Sequence, residues 1–269
     1  RLSVPGEGEH GAPRPHPNYG DQIQVFGINV GLKENLKPGE ADLYVDWLPE
    51  MVTLSDGEKV ELRKPKIRLE KLNFGPIDET VMTSLRNTQV VFGMGYLEAV
   101  SEEDILALAK MQQAQGLNGR PNYVRDDINN RMTLGRFGWK ANQPSVKQQI
   151  VAAFHGDMGV TSSLYIEENC PPVQTDCRAV PPGNRPELLD YAWDELNFWS
   201  VALDAPTPRD QDAENVQRGA KLFDKARCAQ CHVPELKTGN YPLLPAIANK
   251  SFRPYTDLLL HDMGPGLAD

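Results

Sequence analysis

The five residues Cys228-Ala229-Gln230-Cys231-His232 constrain this chain more than any other stretch. The pattern C-x-x-C-H reads as a c-type haem attachment site. Two thiols form thioethers with the porphyrin vinyl groups, and the two-residue spacer matches the distance between those vinyls. His232 then falls under the iron as the proximal imidazole. Two other chemistries use Cys and His at short spacing. A zinc site usually takes four protein ligands, and no second cysteine pair has the spacing to complete one. A thioredoxin-like dithiol belongs in a βαβ frame, which the flanking sequence lacks. Covalent haem c at Cys228, Cys231 and His232 is therefore the favoured reading. It predicts an exported protein, periplasmic or in the cell envelope.

Composition sets the rest of the frame. The chain has 269 residues, 40% hydrophobic, with a formal net charge of -9. That length permits one large domain or two smaller ones. No stretch approaches the roughly 20 consecutive apolar residues of a spanning helix. The acidic balance argues against nucleic acid as a partner and fits a docking surface for a basic one. Gly and Pro number 22 each, which predicts long irregular connections between short elements. Arg1 stands first with no signal-peptide pattern after it, which predicts a processed chain or a fragment.

Residues 1–20 are rich in Pro, Gly and His and read as a loose arm, with His10 and His16 as solvated loop residues or weak metal ligands. From Asp21 to Phe74 the pattern is strand-like. Ile23, Val25 and Phe26 lie in a first run, then Leu43, Val45 and Trp47 alternate with polar neighbours. Ser55-Asp56-Gly57-Glu58 is a hairpin turn signal. Val60, Leu62, Ile67 and Leu69 form the return arm, where Pro65 predicts an edge strand or a bulge. Four helices are expected. One starts at the cap Ser101, with Ile105, Leu108 and Ala109 as its stripe. A second runs from Ser145 to about Phe154. A third runs from Pro186 to Leu203 with Leu189, Trp193, Leu196, Trp199 and Leu203 on one face. The fourth runs from about Gln211 to Lys225 and delivers the chain to Cys228. Its Leu222 and Phe223 can pack on an apolar haem face. Cys170 and Cys177, in a Pro-rich loop, suit a disulfide in an exported protein.

The sixth position of the iron decides what the haem does. Met263 would suit electron transfer, His261 a lower potential, and an open site peroxide chemistry. Both residues follow the apolar run Leu258-Leu259-Leu260. His155 and Met158 echo that pair, although His155 equally suits a helix C-terminus. Arg136, Lys140 and Arg253 are candidate partners for haem propionates. Trp139 is read as core packing, with electron relay as the alternative.

Several segments resemble the di-haem oxidoreductase family, whose members are described as peroxidases or thiol oxidoreductases. They are Gly93-Met94-Gly95-Tyr96-Leu97-Glu98-Ala99, Gly119-Arg120-Pro121-Asn122, Leu134-Gly135-Arg136-Phe137-Gly138-Trp139-Lys140-Ala141 and Asp157-Met158-Gly159-Val160-Thr161-Ser162. Glu168-Asn169-Cys170 and the long Pro254-Tyr255-Thr256-Asp257-Leu258-Leu259-Leu260-His261-Asp262-Met263-Gly264 complete the match. The resemblance implies two c-type haems in a periplasmic or lipid-anchored protein, distantly similar to di-haem cytochrome c peroxidases. Some members look associated with iron uptake. With one C-x-x-C-H here, it also implies a chain truncated at both ends and a second haem from a segment outside it. The acidic, calcium-like loop of many members is replaced by Gln115-Gly116-Leu117-Asn118, which lacks the carboxylates Ca²⁺ favours.

The expected fold is α+β, mainly helical and irregular with a small antiparallel β-section at about 21–75. Residues 1–205 form the N-terminal part, and 206–269 an incomplete, helical cytochrome c-like part. The expected function is a peroxidase-like haem oxidoreductase working with a redox partner protein or second haem domain, with a missing N-terminal segment as the candidate membrane anchor. The alternative is a non-catalytic electron carrier or an accessory of iron uptake.

Overall fold

Serine caps begin two of the described helices, and a left-handed glycine ends the second of them. The computed structural model describes residues 1–29, 36–179 and 186–267. Its described residues hold six α-helices: α1 (Met94–Glu98), α2 (Glu102–Ala114), α3 (Val146–Met158), α4 (Thr175–Arg178), α5 (Asp190–Ala202) and α6 (Glu214–Lys225). Ser101 caps α2 by accepting from the Asp104 N–H, and Ser145 caps α3 by accepting from the Gln148 N–H. With small antiparallel sheets beside these helices, the α+β expectation holds.

The chain divides into two compact units, Arg1–Asn87 with Glu167–Asn184 and Leu267–Asp269, and Thr88–Ile166 with Arg185–Gly266. The expected boundary near Pro206 lies inside the second unit.

In the first unit the predicted loose arm is ordered. Strand β1 (Leu2–Glu7) pairs with β2 (Pro13–Arg14) on one side. On the other it pairs with a strand some eighty residues on, and this long-range partner is what local composition could not show. His16 is not solvated: it is 6% exposed, and its Nδ1 accepts from the Asn18 N–H. Burial lowers its pKa, with Asp78 opposing. Strands β3 (Phe26–Asn29) and β4 (Leu36–Pro38) pair next, while the stretch 30–35 of the expected β-run lies outside the described residues. The long hairpin of β5 (Asp42–Thr53) and β6 (Lys59–Glu70) follows, in unbroken register from Asp42↔Glu70 to Thr53↔Lys59. Gly57 takes φ +91 in its turn, which glycine allows without strain. Pro65 causes no bulge, because in a two-stranded ribbon each strand is an edge. The partner of β1 is β7 (Met82–Thr83). The expected disulfide joins Cys170 to Cys177 beside α4.

The second unit carries the core. Val100, Ile105, Leu134, Leu236 and Leu258 form one buried cluster, and Val151, Leu188 and Trp193 another. Strands β8 (Tyr123–Asp126) and β9 (Arg131–Leu134) form a hairpin, and β10 (Leu236–Lys237) pairs with β11 (Ser251–Phe252). Helix α5 turns only part of the expected face inward, with Trp193 and Leu196 in the core. Trp193 and Val201 are buried, but Trp199 is 57% exposed. Six residues at 3.6 per turn place Trp199 about 120° away from Trp193. Trp139, expected in the core, is likewise 52% exposed.

Gly95 lets α1 lie against α5: a Cβ there would stand 2.1 Å from the Val201 carbonyl oxygen. Gly95→Ala is expected to cost about 1–3 kcal/mol through this overpacking, read from the urea midpoint. An unshifted midpoint would show that the helices can part without cost.

Candidate functional site

Helix α6 ends at Lys225 with Ala226 as its cap, and Arg227 at φ +62 turns the chain sharply into one 3₁₀ turn, Cys228–Gln230. The Cys228 carbonyl accepts from the N–H groups of Cys231 (3.3 Å) and His232 (2.9 Å). Both thiols are free and half-buried. The whole attachment motif thus occupies a single tight turn.

His232 is exposed, and its orientation is set from one side. Its Nδ1 lies 3.2 Å from the Tyr255 carbonyl oxygen. A carbonyl only accepts, so Nδ1 carries the proton and Nε2 keeps the lone pair. Fixing a ligand histidine through its other nitrogen is how proteins choose the metal-binding atom. Phe223 of α6 stacks edge-on against both His232 and Tyr255, at centroid distances of 6.4 and 5.5 Å.

Cys231 faces a different group. Its Sγ lies 3.9 Å from His261 Nδ1, and His261 Nε2 donates to Asp257 Oδ2 at 2.7 Å. Asp257 is itself 3% exposed and accepts a second bond, 2.7 Å from Gln112 Nε2. The same Nε2 donates to the Gln230 carbonyl at 2.9 Å. Gln112, fully buried on α2, therefore ties the attachment turn to the segment that carries His261. Both Nε2 contacts are acceptors, which fixes the amide orientation and leaves Oε1 without a partner among the described residues. Gly119 makes room for this clamp, since a Cβ there would fall 1.9 Å from Gln112 Oε1. Burial pushes the Cys231 thiol up, and the Asp257 charge adds to the effect.

The other candidates lie apart from this clamp. Met263 is 70% exposed. Arg253 is exposed and donates to Gln211 Oε1 at 3.0 Å, just before α6. Arg136 is engaged at the end of α1, on the carbonyls of Leu97 (3.2 Å) and Val100. Burial lowers its pKa, and Glu98 opposes that. His155 sits in the last turn of α3 with its ring stacked on Tyr165, and Met158 is 67% exposed. A cleft lined by Glu98, Asp126, Arg136 and Tyr241 contains none of the attachment residues.

Gln112, Asp257 and Tyr255 were missed from sequence. One signal for Gln112 was present: it stands at i+4 and i+7 from Leu108 and Ile105, a polar residue on an apolar stripe.

The residues present fit a haem. Two free thiols and an imidazole with a free Nε2 form the donor set. Helix α6 beside them has no buried residue, although Val216, Ala220 and Phe223 recur at helical spacing along it. Its apolar side chain Leu222 is 56% exposed.

A family model described as di-haem oxidoreductase, putative peroxidase, matches residues 3–269. No curated protein and no solved structure matches the chain.

Gln112→Leu keeps the volume but leaves the buried Asp257 carboxylate one donor short and the Gln230 carbonyl bare. It is expected to cost about 2–4 kcal/mol, measured by urea denaturation. A loss within about 0.5 kcal/mol, the scale of ordinary surface changes, would contradict the clamp.

Proposed function

We propose that this chain, which belongs to the di-haem oxidoreductase family, is an exported, peroxidase-like oxidoreductase carrying covalent haem c on Cys228 and Cys231. The observation that carries the reading is the His232 ring, whose Nδ1–H is held by the Tyr255 carbonyl so that Nε2 is left to ligate iron. The thiols would anchor the porphyrin, and α6 with Leu222 and Phe223 would cover part of its apolar face. Bound there, haem supplies one-electron redox chemistry at its iron.

The chain's own residues prepare that chemistry. Tyr255, at φ +52, presents its carbonyl to the ring and limits its rotation. Phe223 lies edge-on to the same ring and restricts its rotation from a second side. Arg253, exposed near the start of α6, is the better placed partner for a propionate, since the Arg136 guanidinium already serves helix carbonyls. His261 has Nε2 on Asp257 and Nδ1 facing Cys231, and Met263 stands in solvent. Held so, neither side chain would be offered to a haem bound at His232, which favours the peroxidase-like reading. A carrier or iron-uptake accessory, the alternative, would need Met263 to move onto the iron.

The family's second haem would attach through residues other than this one C-x-x-C-H. The disulfide Cys170–Cys177 fits an oxidising compartment such as the periplasm. Among the described residues no helix is long and apolar enough to cross a membrane. The net charge of -9 suits a basic redox partner protein.

The test uses full-length protein matured with cytochrome c assembly factors. Pyridine haemochrome analysis is expected to show two haems c per chain, one of them lost in Cys228→Ala/Cys231→Ala. Reduced protein is expected to turn over peroxide. Colourless material with both thiols alkylatable would overturn the haem, while a methionine-ligated spectrum without peroxide turnover would make it a carrier.

A further inference from the structure

The haem reading needs His232 and the two sulfurs, and it leaves Asp257, His261 and Gln112 without a task. We propose that His261, held by Asp257 and Gln112, is a positioning residue that fixes the Cys231 sulfur for the second thioether bond. The proposal rests on the haem reading and adds to it the residues that make one of the two attachments.

The geometry runs in one direction. Gln112 is fully buried and donates to both Asp257 and the Gln230 carbonyl, so acid and attachment turn share one anchor. Asp257 then takes the proton-bearing Nε2 of His261 at 2.7 Å. In the neutral ring this leaves Nδ1 as an acceptor, pointed at the Cys231 sulfur 3.9 Å away. The bridge between Arg120 and Leu260 holds the His261 segment in register beside Gly119. Cys231, Asp257 and His261 also meet the distance requirement of a metal site. The attachment reading uses the same sulfur for a covalent bond.

The bond itself is redox-neutral. The thiol adds across the porphyrin vinyl: a C–S bond forms at the carbon next to the ring, the vinyl π bond breaks, and the thiol hydrogen ends on the terminal carbon. No oxidant or reductant is consumed. What the protein contributes is the position of the sulfur, and misplacement by about 1 Å can cost on the order of 10²-fold in such a step.

The experiment compares the wild type with His261→Ala and His261→Asn, matured with cytochrome c assembly factors. Each is denatured and treated with iodoacetamide, and Cys231 alkylation is read by peptide mass beside the haemochrome α-band. The alanine variant is expected to retain haem through Cys228 alone, with Cys231 alkylated in most chains and the α-band shifted to the red. Asn, whose amide can still meet the sulfur, is expected to restore the second bond in most chains. If His261→Ala does not accumulate, Asp257→Leu, which removes the acceptor that holds the His261 ring, carries the same readout. Two thioethers in every variant would overturn the positioning role while leaving the haem intact. A wild type without covalent haem would instead end the reading on which it rests.

Discussion

A buried carboxylate organises the C-terminal half of this protein. Asp257 sits in the core layer beside Leu258, almost without solvent, where an unpaired charge would be prohibitively costly. It is tolerated because Gln112 and His261 both donate to it. The cost of burying it becomes a constraint on everything it touches. Helix α2 cannot part from the segment 255–264 without taking a donor from that carboxylate, and the same Gln112 amide ties in the attachment turn. Gly119 and the left-handed backbone at Tyr255 and Leu258 are local concessions that bring these three strands of chain together.

Much of the second unit was legible because its signals are local. A serine before an apolar stripe placed α2 and α3 within a residue of their observed starts. C-x-x-C-H marked the candidate site, and in the first unit the Asp-Gly turn placed the long hairpin. The clamp was not legible, and the reason is distance along the chain. Gln112 meets Gln230 and Asp257 across 118 and 145 residues, and no spacing rule spans such a gap. The N-terminal arm failed partly for the same reason, since one of the two partners of β1 lies at residues 82–83. Helix α5 failed differently: large aromatic residues were read as core, although Trp199 lies about a third of a turn off the buried side.

The β5–β6 hairpin shows what remains when pairing is satisfied but burial is not. Residues opposite one another share a face. One face carries Leu43, Val45, Trp47, Ile67 and Leu69, and the other carries Tyr44, Asp46, Lys66 and Arg68. The charged face is locally satisfied, with Arg68 paired to Asp46 and lying over the Tyr44 ring. The apolar face leaves Trp47 53% exposed. Its alternation is that of a strand meant to pack, and it explains why the sequence pattern was so clear there.

Two histidines at the site acquire opposite chemistry from one rule. Each ring has its proton assigned by an acceptor that cannot donate: the Tyr255 carbonyl at Nδ1 of His232, and the Asp257 carboxylate at Nε2 of His261. The lone pair is therefore on Nε2 in the first ring, at the exposed tip where a metal can approach. In the neutral form of the second it is on Nδ1, turned inward toward a sulfur. Exchanging the two partners would reverse the roles while leaving both histidines in place. Spacing in C-x-x-C-H singled out His232, but which nitrogen of each ring keeps the lone pair is set by the atom that holds the other one.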